Sequence, residues 1–300
     1  MRTTTTMKTT ATTRRLLTGL AAGLALTAFA ETTQAQEILL TGPLAGAPAV
    51  RKLRLYRQGR FEVAPMATFT LLDEYRRTIF LGGRINYNLT DWLAIGAWGG
   101  YGGLIRFNTG LTEKIQRVNE TRRADPGWAN SVDRRLTEVN MGANFEDQLG
   151  GIDWIVVPQI TGVPFRGKLA LFRSIYVDTE IFFFLGPAIV GVTEREHCSD
   201  DQGSDLPACP NAFDTQSRTA FTASGGMGLS FFANKWNALT AEARLTPFAW
   251  NIAGFDTTGG GPDKQFPDRD VDESDRQFRF NMMLAVGWSF YFPTDYRTSE

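Results

Sequence analysis

The stretch QFRFNMMLAVGWSFYF, Gln277 to Phe292, alternates without a break. Phe278, Phe280, Met282, Leu284, Val286, Trp288, Phe290 and Phe292 fall on one side, and Gln277, Arg279, Asn281, Met283, Ala285, Gly287, Ser289 and Tyr291 on the other. A period of two puts successive side chains on opposite faces of a strand. Strands in soluble proteins average ~5–6 residues, whereas a tilted strand crossing a bilayer needs about 9–11 in the hydrocarbon. The length and the wholly apolar face predict a membrane-crossing strand.

The same pattern recurs upstream, at Arg60 to Leu71, Thr78 to Leu89 and Trp92 to Gly103, then at Ile152 to Phe172, Ile175 to Thr193, Arg218 to Ala233 and Trp236 to Trp250. Pro158 and Pro164 interrupt the fourth of these, which reads as one bent strand or two short ones because proline removes a ladder donor. Counted once, it brings the total to eight. The expected fold is all-β: a closed antiparallel transmembrane β-barrel of about eight strands over 59–292, with short helical elements in a long loop. Tight connections at 90–91, 173–174 and 234–235 alternate with long ones at 106–150, 194–217 and 251–274. That is the asymmetry of periplasmic turns and outward loops, broken only by the short hairpin at 72–77. Leu111 to Arg123 and Asn130 to Leu149 are helix-compatible, since a structureless connection of that length is uncommon.

The N-terminus supports export. Arg14 and Arg15 precede an apolar run from Leu16 to Ala30, with small-residue cleavage sites after Ala30 and Ala35, the plan of a signal peptide over 1–35. The run is too short for a spanning helix, and Ile181 to Val192 is the longest apolar run after it. Residues 36–58 read as a periplasmic segment, either mobile or docked at the lower rim of the barrel, and 293–300 as a C-terminal tail. Removal of 1–35 takes four basic residues and one acidic one and leaves a net charge of about −4, which gives no sign of a nucleic-acid partner. Cys198 and Cys209 lie in one polar loop of a chain passing through an oxidising compartment, and a disulfide between them is expected.

Closure decides what lies inside. In lipid every backbone polar group needs an internal partner, so an apolar-faced sheet must close, with its apolar set outward. The inward set then includes Glu62, Arg84, Asp178, Glu180, Glu242, Arg244 and Arg279. Eight strands leave an interior just wide enough for side chains. These charges are therefore expected to pair into a network that plugs the lumen, the alternative being a small hydrated cavity. Tyr87, Trp92, Trp236, Trp250, Phe290 and Phe292 are candidates for interfacial aromatic girdles.

The last strand also resembles the C-terminal signal read by the barrel-assembly machinery, through Gly287, Phe290 and Phe292; Ala285 stands where a polar residue is usual, and eight residues follow Phe292. More broadly, Gly59-Arg60-Phe61-Glu62-Val63-Ala64-Pro65, Asn88 to Gly96, Gly167 to Phe172 and Asp178 resemble outer-membrane β-barrel domain proteins of the myxobacterial type, over most of 51–292. The resemblance implies a barrel in the outer membrane of a Gram-negative-type bacterium and transfers no catalytic residue or substrate.

Chemistry finds little purchase. His197 is the only histidine, and barrel enzymes usually lean on histidine as general base. Two cysteines and one histidine fall short of a zinc site. The run Asp268 to Asp275 lacks the glycine and distal glutamate of a helix-loop-helix calcium site, having Glu273 and Arg279 there. Gly99 to Gly103 and Gly225 to Gly228 lie inside strands rather than at a strand-to-helix junction, so no cofactor is expected; they relieve crowding in a narrow barrel or permit a bend. The expected function is a structural or surface-interaction barrel whose loops meet lipopolysaccharide or a partner. A narrow pore for ions or small solutes is the alternative, and a barrel-embedded lipid-modifying enzyme or protease the third reading.

Overall fold

The computed structural model describes residues 57–124, 141–142, 144–171, 175–199, 205–207, 209, 214–257 and 270–294. The expected signal peptide, segment 36–56, residues 130–140 of the helix-compatible stretch Asn130 to Leu149 and the tail beyond Thr294 lie outside the described residues; the described remainder of that stretch forms a turn at 145–148 rather than a helix.

The strands are β1 (Phe61–Thr70), β2 (Arg76–Asn88), β3 (Leu93–Asn108), β4 (Gly151–Leu171), β5 (Ile175–Arg195), β6 (Thr215–Phe232), β7 (Asn237–Leu245), β8 (Phe248–Trp250), β9 (Gln277–Arg279) and β10 (Met282–Phe292). One helix, α1 (Gly110–Ala124), follows β3. Eight strands close into an antiparallel barrel in the order β1-β10-β7-β6-β5-β4-β3-β2, with Phe61 of β1 opposite Phe292 of β10 at the seam between first and last strands. The short turns are held by side chains suited to them. Thr90 Oγ1 accepts from Leu93 N at 3.0 Å, and Asn234 Oδ1 accepts from Trp236 N and Asn237 N at 2.9 Å each. The fourth strand is continuous through its prolines, with bulges near Ile152 and between Gly162 and Phe165 that bend it.

Two strands are shorter than their alternation suggested. The run 236–250 breaks at Thr246 and Pro247, where proline has no N–H to give the ladder. The run 277–292 breaks at Asn281, a left-handed residue with φ 41° whose Nδ2 donates to Thr246 O at 3.1 Å. Beyond these breaks the two ends leave the wall and pair with each other as β8 and β9. Trp250 consequently turns inward and is buried, Nε1 donating to Asn281 Oδ1 at 3.1 Å, and it belongs to no girdle.

Exposed large apolar side chains occur on the outer face of all eight barrel strands, among them Val63, Leu81, Ile95, Ile160, Leu185, Phe221, Leu239 and Trp288. A belt that encircles a molecule far exceeds the patches monomeric soluble proteins expose. Inside, the expected charged network fills only part of the lumen. Ile152, Ile155, Val157, Val190 and Val192 point inward and are buried, because β4 over 152–157 and β5 over 188–192 are mainly apolar on both faces. They form one core with Phe248, Trp250, Ile252 and Ala253 of the connection after β7, which folds into the mouth as a plug. Phe145 stacks on Phe255 at 5.3 Å and Gln148 Nε2 donates to Ala253 O at 2.8 Å, covering the plug from above.

Trp250→Ala should remove the anchor of this plug at a cost of about 3–5 kcal/mol, read as a lowered urea midpoint for the refolded barrel in vesicles; an unchanged midpoint would show that the plug does not contribute to stability.

Candidate functional site

Toward the short-turn end, the lumen holds a chain of ion pairs. Arg84 of β2 bridges Glu62 of β1 and Glu242 of β7. Arg244 Nη2 lies 3.2 Å from Glu242 Oε2 and donates to Gln159 Oε1 of β4 at 3.0 Å. Glu62 also accepts from Ser289 Oγ at 2.9 Å and Asn86 Nδ2 at 3.3 Å. Arg57, just before β1, pairs with Glu180 of β5 and places Nη2 3.2 Å from Glu62 Oε2. Arg166 Nε stands 3.2 Å from Glu180 Oε1. Of the seven residues the sequence singled out, five meet in this network: Glu62, Arg84, Glu180, Glu242 and Arg244. Asp178 shares the face of Glu180 but stands partly exposed near the strand end. Arg279 lies outside the lumen, since the break at Asn281 carries it into β9, where Nη1 sits 3.3 Å from Glu74 Oε1.

Arg57 and Arg166 escaped the sequence reading for different reasons. Arg57 precedes the alternating region, and the bulge before Phe165 shifts the parity of β4. Arg57 is held in place by its own backbone, N donating to Asp91 Oδ1 at 2.8 Å, so the end of the 36–58 segment docks at the rim. Arg60 ties the same end together, Nε donating to Pro293 O and Nη1 to Lys235 O at 3.1 Å each.

Aromatic rings supply the remaining solvation of the arginines. The Arg84 guanidinium carbon lies 4.7 Å from the Phe182 ring centre, and that of Arg244 lies between Phe184 at 4.1 Å and Trp98 at 4.3 Å. These rings need glycine on the neighbouring strand. A Cβ at Gly228 would come within 2.2 Å of Phe182, and one at Gly226 within 2.7 Å of Phe184. Gly226 and Gly228 thus make room for the two phenylalanine rings, and Gly226 also for the close approach of the Ala243 carbonyl of β7, 2.0 Å from where its Cβ would lie.

At the long-loop end, Glu194 accepts from Arg218 Nε at 2.6 Å, Arg276 Nε at 2.8 Å and Asn251 N at 3.0 Å, joining β5, β6 and the segments flanking β8 and β9. Cys198 and Cys209 are disulfide-bonded and buried. Cys198 also exchanges backbone hydrogen bonds with Val271 at 3.1 and 3.0 Å, stitching the loop after β5 to the approach of β9. In the hairpin after β1, burial lifts the Asp73 carboxyl above its ordinary range, against the hydrogen bond from Thr70 and the charges of Arg279 and Arg77. Gly287, Phe290 and Phe292 lie on β10, with Phe290 half-buried and Phe292 exposed on the outer wall. Tyr87, Trp92 and Trp236 also lie near the short-turn end, Trp92 and Trp236 exposed and Tyr87 half-buried.

The closed eight-stranded barrel with a packed interior defines the structural class. No protein-family model and no curated protein matches the chain. Among solved structures it is similar to the N-terminal β-barrel domain of Pseudomonas aeruginosa OprF, at 11% identity over 78% of this chain and 98% of that one, TM-score 0.37. It is also similar to Ail, the attachment invasion locus protein of Yersinia pestis (10% identity, 78% and 99% covered, TM-score 0.31), and to Neisserial surface protein A (8%, 77% and 93%, TM-score 0.28).

Arg84→Met should destabilise the barrel by about 3–5 kcal/mol, because it removes the buried cation shared by Glu62 and Glu242 and leaves each with one arginine, Arg57 and Arg244. Adding Glu62→Gln should recover part of that loss in the same urea titration, because Arg57 keeps Glu180 and Glu242 keeps Arg244, and failure to recover would mean that Arg84 acts through packing alone.

Proposed function

We propose that this chain is an integral outer-membrane protein with a sealed lumen, and that it acts through the outward cap in structure or surface interaction. The observation that carries the reading is the filling of the lumen along its length. Arg84, Glu242 and Arg244 on one side and Trp250, Ile155 and Val190 on the other are at most 2% exposed. The encircling apolar belt supports residence in lipid, and the division into long and short connections supports a cap on the cell's exterior. Lipopolysaccharide and outer-membrane lipids are the proposed partners of belt and rim, and a surface partner is proposed for the cap. The barrel-assembly machinery is the proposed reader of Gly287, Phe290 and Phe292. Arg57 favours one second reading, a narrow pore: it enters the lumen from outside the strands, so its withdrawal would uncover Glu180 and Glu62.

Expressed protein should fractionate with outer membranes and run differently on gels before and after boiling; recovery in the soluble extract would overturn the membrane reading. In planar bilayers the purified barrel should give no discrete conductance steps. Openings that grow on Arg57→Ala would replace the sealed barrel with the gated pore.

A further inference from the structure

The outer wall carries a groove where β2 to β5 meet, with a volume of about 700 Å³. Its sides are Ile85, Ile95, Ile160 and Leu185, and Ala97, Gly186, Pro158 and Pro187 form its floor. A second hollow of about 440 Å³ shares Ile85 and Ala97 with it and extends toward Pro65 and Gly83. The groove lies within the apolar belt, at a place where the sheet is incomplete. Pairing of β4 with β5 runs to Val156 opposite Ile189 and resumes at Ile160 opposite Leu185. Between those pairs, the register sets Pro158 against Pro187.

Pairing with the outer neighbours is unbroken at both prolines, Ala97 facing Pro158 and Ala223 facing Pro187. The ring nitrogens therefore point into the β4–β5 seam, where an ordinary pair would exchange two N–H···O bonds. Proline has no N–H, so the Pro158 and Pro187 carbonyls lack their ladder donors; the Pro158 oxygen lies against Gly186 instead, 1.9 Å from where a Cβ on that residue would sit. In hydrocarbon an unsatisfied backbone acceptor is costly. Water is the usual remedy at a rim, but these residues sit among Ile95, Ile160 and Leu185.

We propose that this groove binds an acyl chain bearing an N–H or O–H donor, the chain lying against Ala97 and the donor meeting the Pro158 and Pro187 carbonyls. A second copy docked by the same face would bring mainly aliphatic side chains to those carbonyls, with the Tyr87 hydroxyl as its side-chain donor on the outer face of the groove, whereas a lipid amide or hydroxyl brings the donor on the same chain that fills the groove. The inference rests on the membrane-embedded reading above.

The test is native mass spectrometry of the folded full chain released from non-ionic micelles after loading with deuterated myristamide or deuterated methyl myristate. The two probes share a chain, and only the amide has donors. One myristamide should be retained per chain, about tenfold over the ester, as one hydrogen bond implies. Ala97→Trp, which fills the groove, should abolish retention, and Pro158→Ala with Pro187→Ala, which restores the ladder donors, should remove the preference for the amide. Each variant must keep the folded gel mobility; if Ala97→Trp does not, Ala97→Leu replaces it. Equal retention of both probes, or retention unaffected by filling the groove, overturns the proposal while leaving the barrel intact. A dimer that Ala97→Trp dissociates assigns the groove to a second copy, and wild-type protein found in the soluble fraction removes the membrane reading itself.

Discussion

An apolar wall offers no water to a backbone amide, so a sheet with such a wall must find all its hydrogen bonds within itself. Closure between β1 and β10 meets that demand, and the rest of the molecule follows from it. A closed eight-stranded wall leaves a narrow interior that cannot remain empty at the packing density of proteins. The chain fills it in two ways: with ion pairs braced by aromatic rings toward the short turns, and with an apolar plug drawn from a loop toward the long ones.

Two of the breaks in the ladders coincide with proline. Pairing of β1 with β10 runs to Val63 opposite Phe290 and resumes at Met66 opposite Gly287, leaving a gap at Pro65. The other proline gap lies between β4 and β5. In the ring these two seams are opposite and divide it into β1 to β4 on one side and β5, β6, β7 and β10 on the other; within the first group the β2–β3 ladder shifts register between Ile79 and Leu81. Contacts across the lumen bind the halves where the ladders do not: Arg84 reaches Glu242, Arg57 reaches Glu180 and Arg244 reaches Gln159.

Strand number, closure and the outward face were legible in the sequence because a period of two survives over long runs such as Thr215–Phe232 and is insensitive to tertiary detail. Glu62, Arg84, Glu180, Glu242 and Arg244 were legible as inward residues for the same reason. Arg279 was misread because alternation continues through a chain break: Asn281 keeps the pattern of 277–292 while its backbone leaves the strand. Trp250 failed likewise, since the break at Pro247 turns an apparent girdle residue into a plug. The plug itself had no local signal. Its floor is made by β4 and β5, where apolar residues occupy both faces, and which loop covers such a floor depends on contacts far apart in sequence.

Burying these charges needs a reason, because a well-packed apolar filling of equal volume is often as stable as a buried ion pair. Register supplies one. A slip of one residue in any strand sends its inward set to the lipid face. For an aliphatic filling that exchange is nearly free, since leucine and valine suit lipid as well as a core, and the stretches 152–157 of β4 and 188–192 of β5, mainly apolar on both faces, would not by themselves specify their alignment. A slip of β2 would instead put Arg84 in hydrocarbon and strand Glu62 and Glu242 together. Arg84 and Arg244 each reach across the lumen to a strand that is not a neighbour, so the penalty for a local slip is felt around the ring. The charged half thereby fixes the alignment that the apolar half leaves open, and the plug closes over a wall already in register.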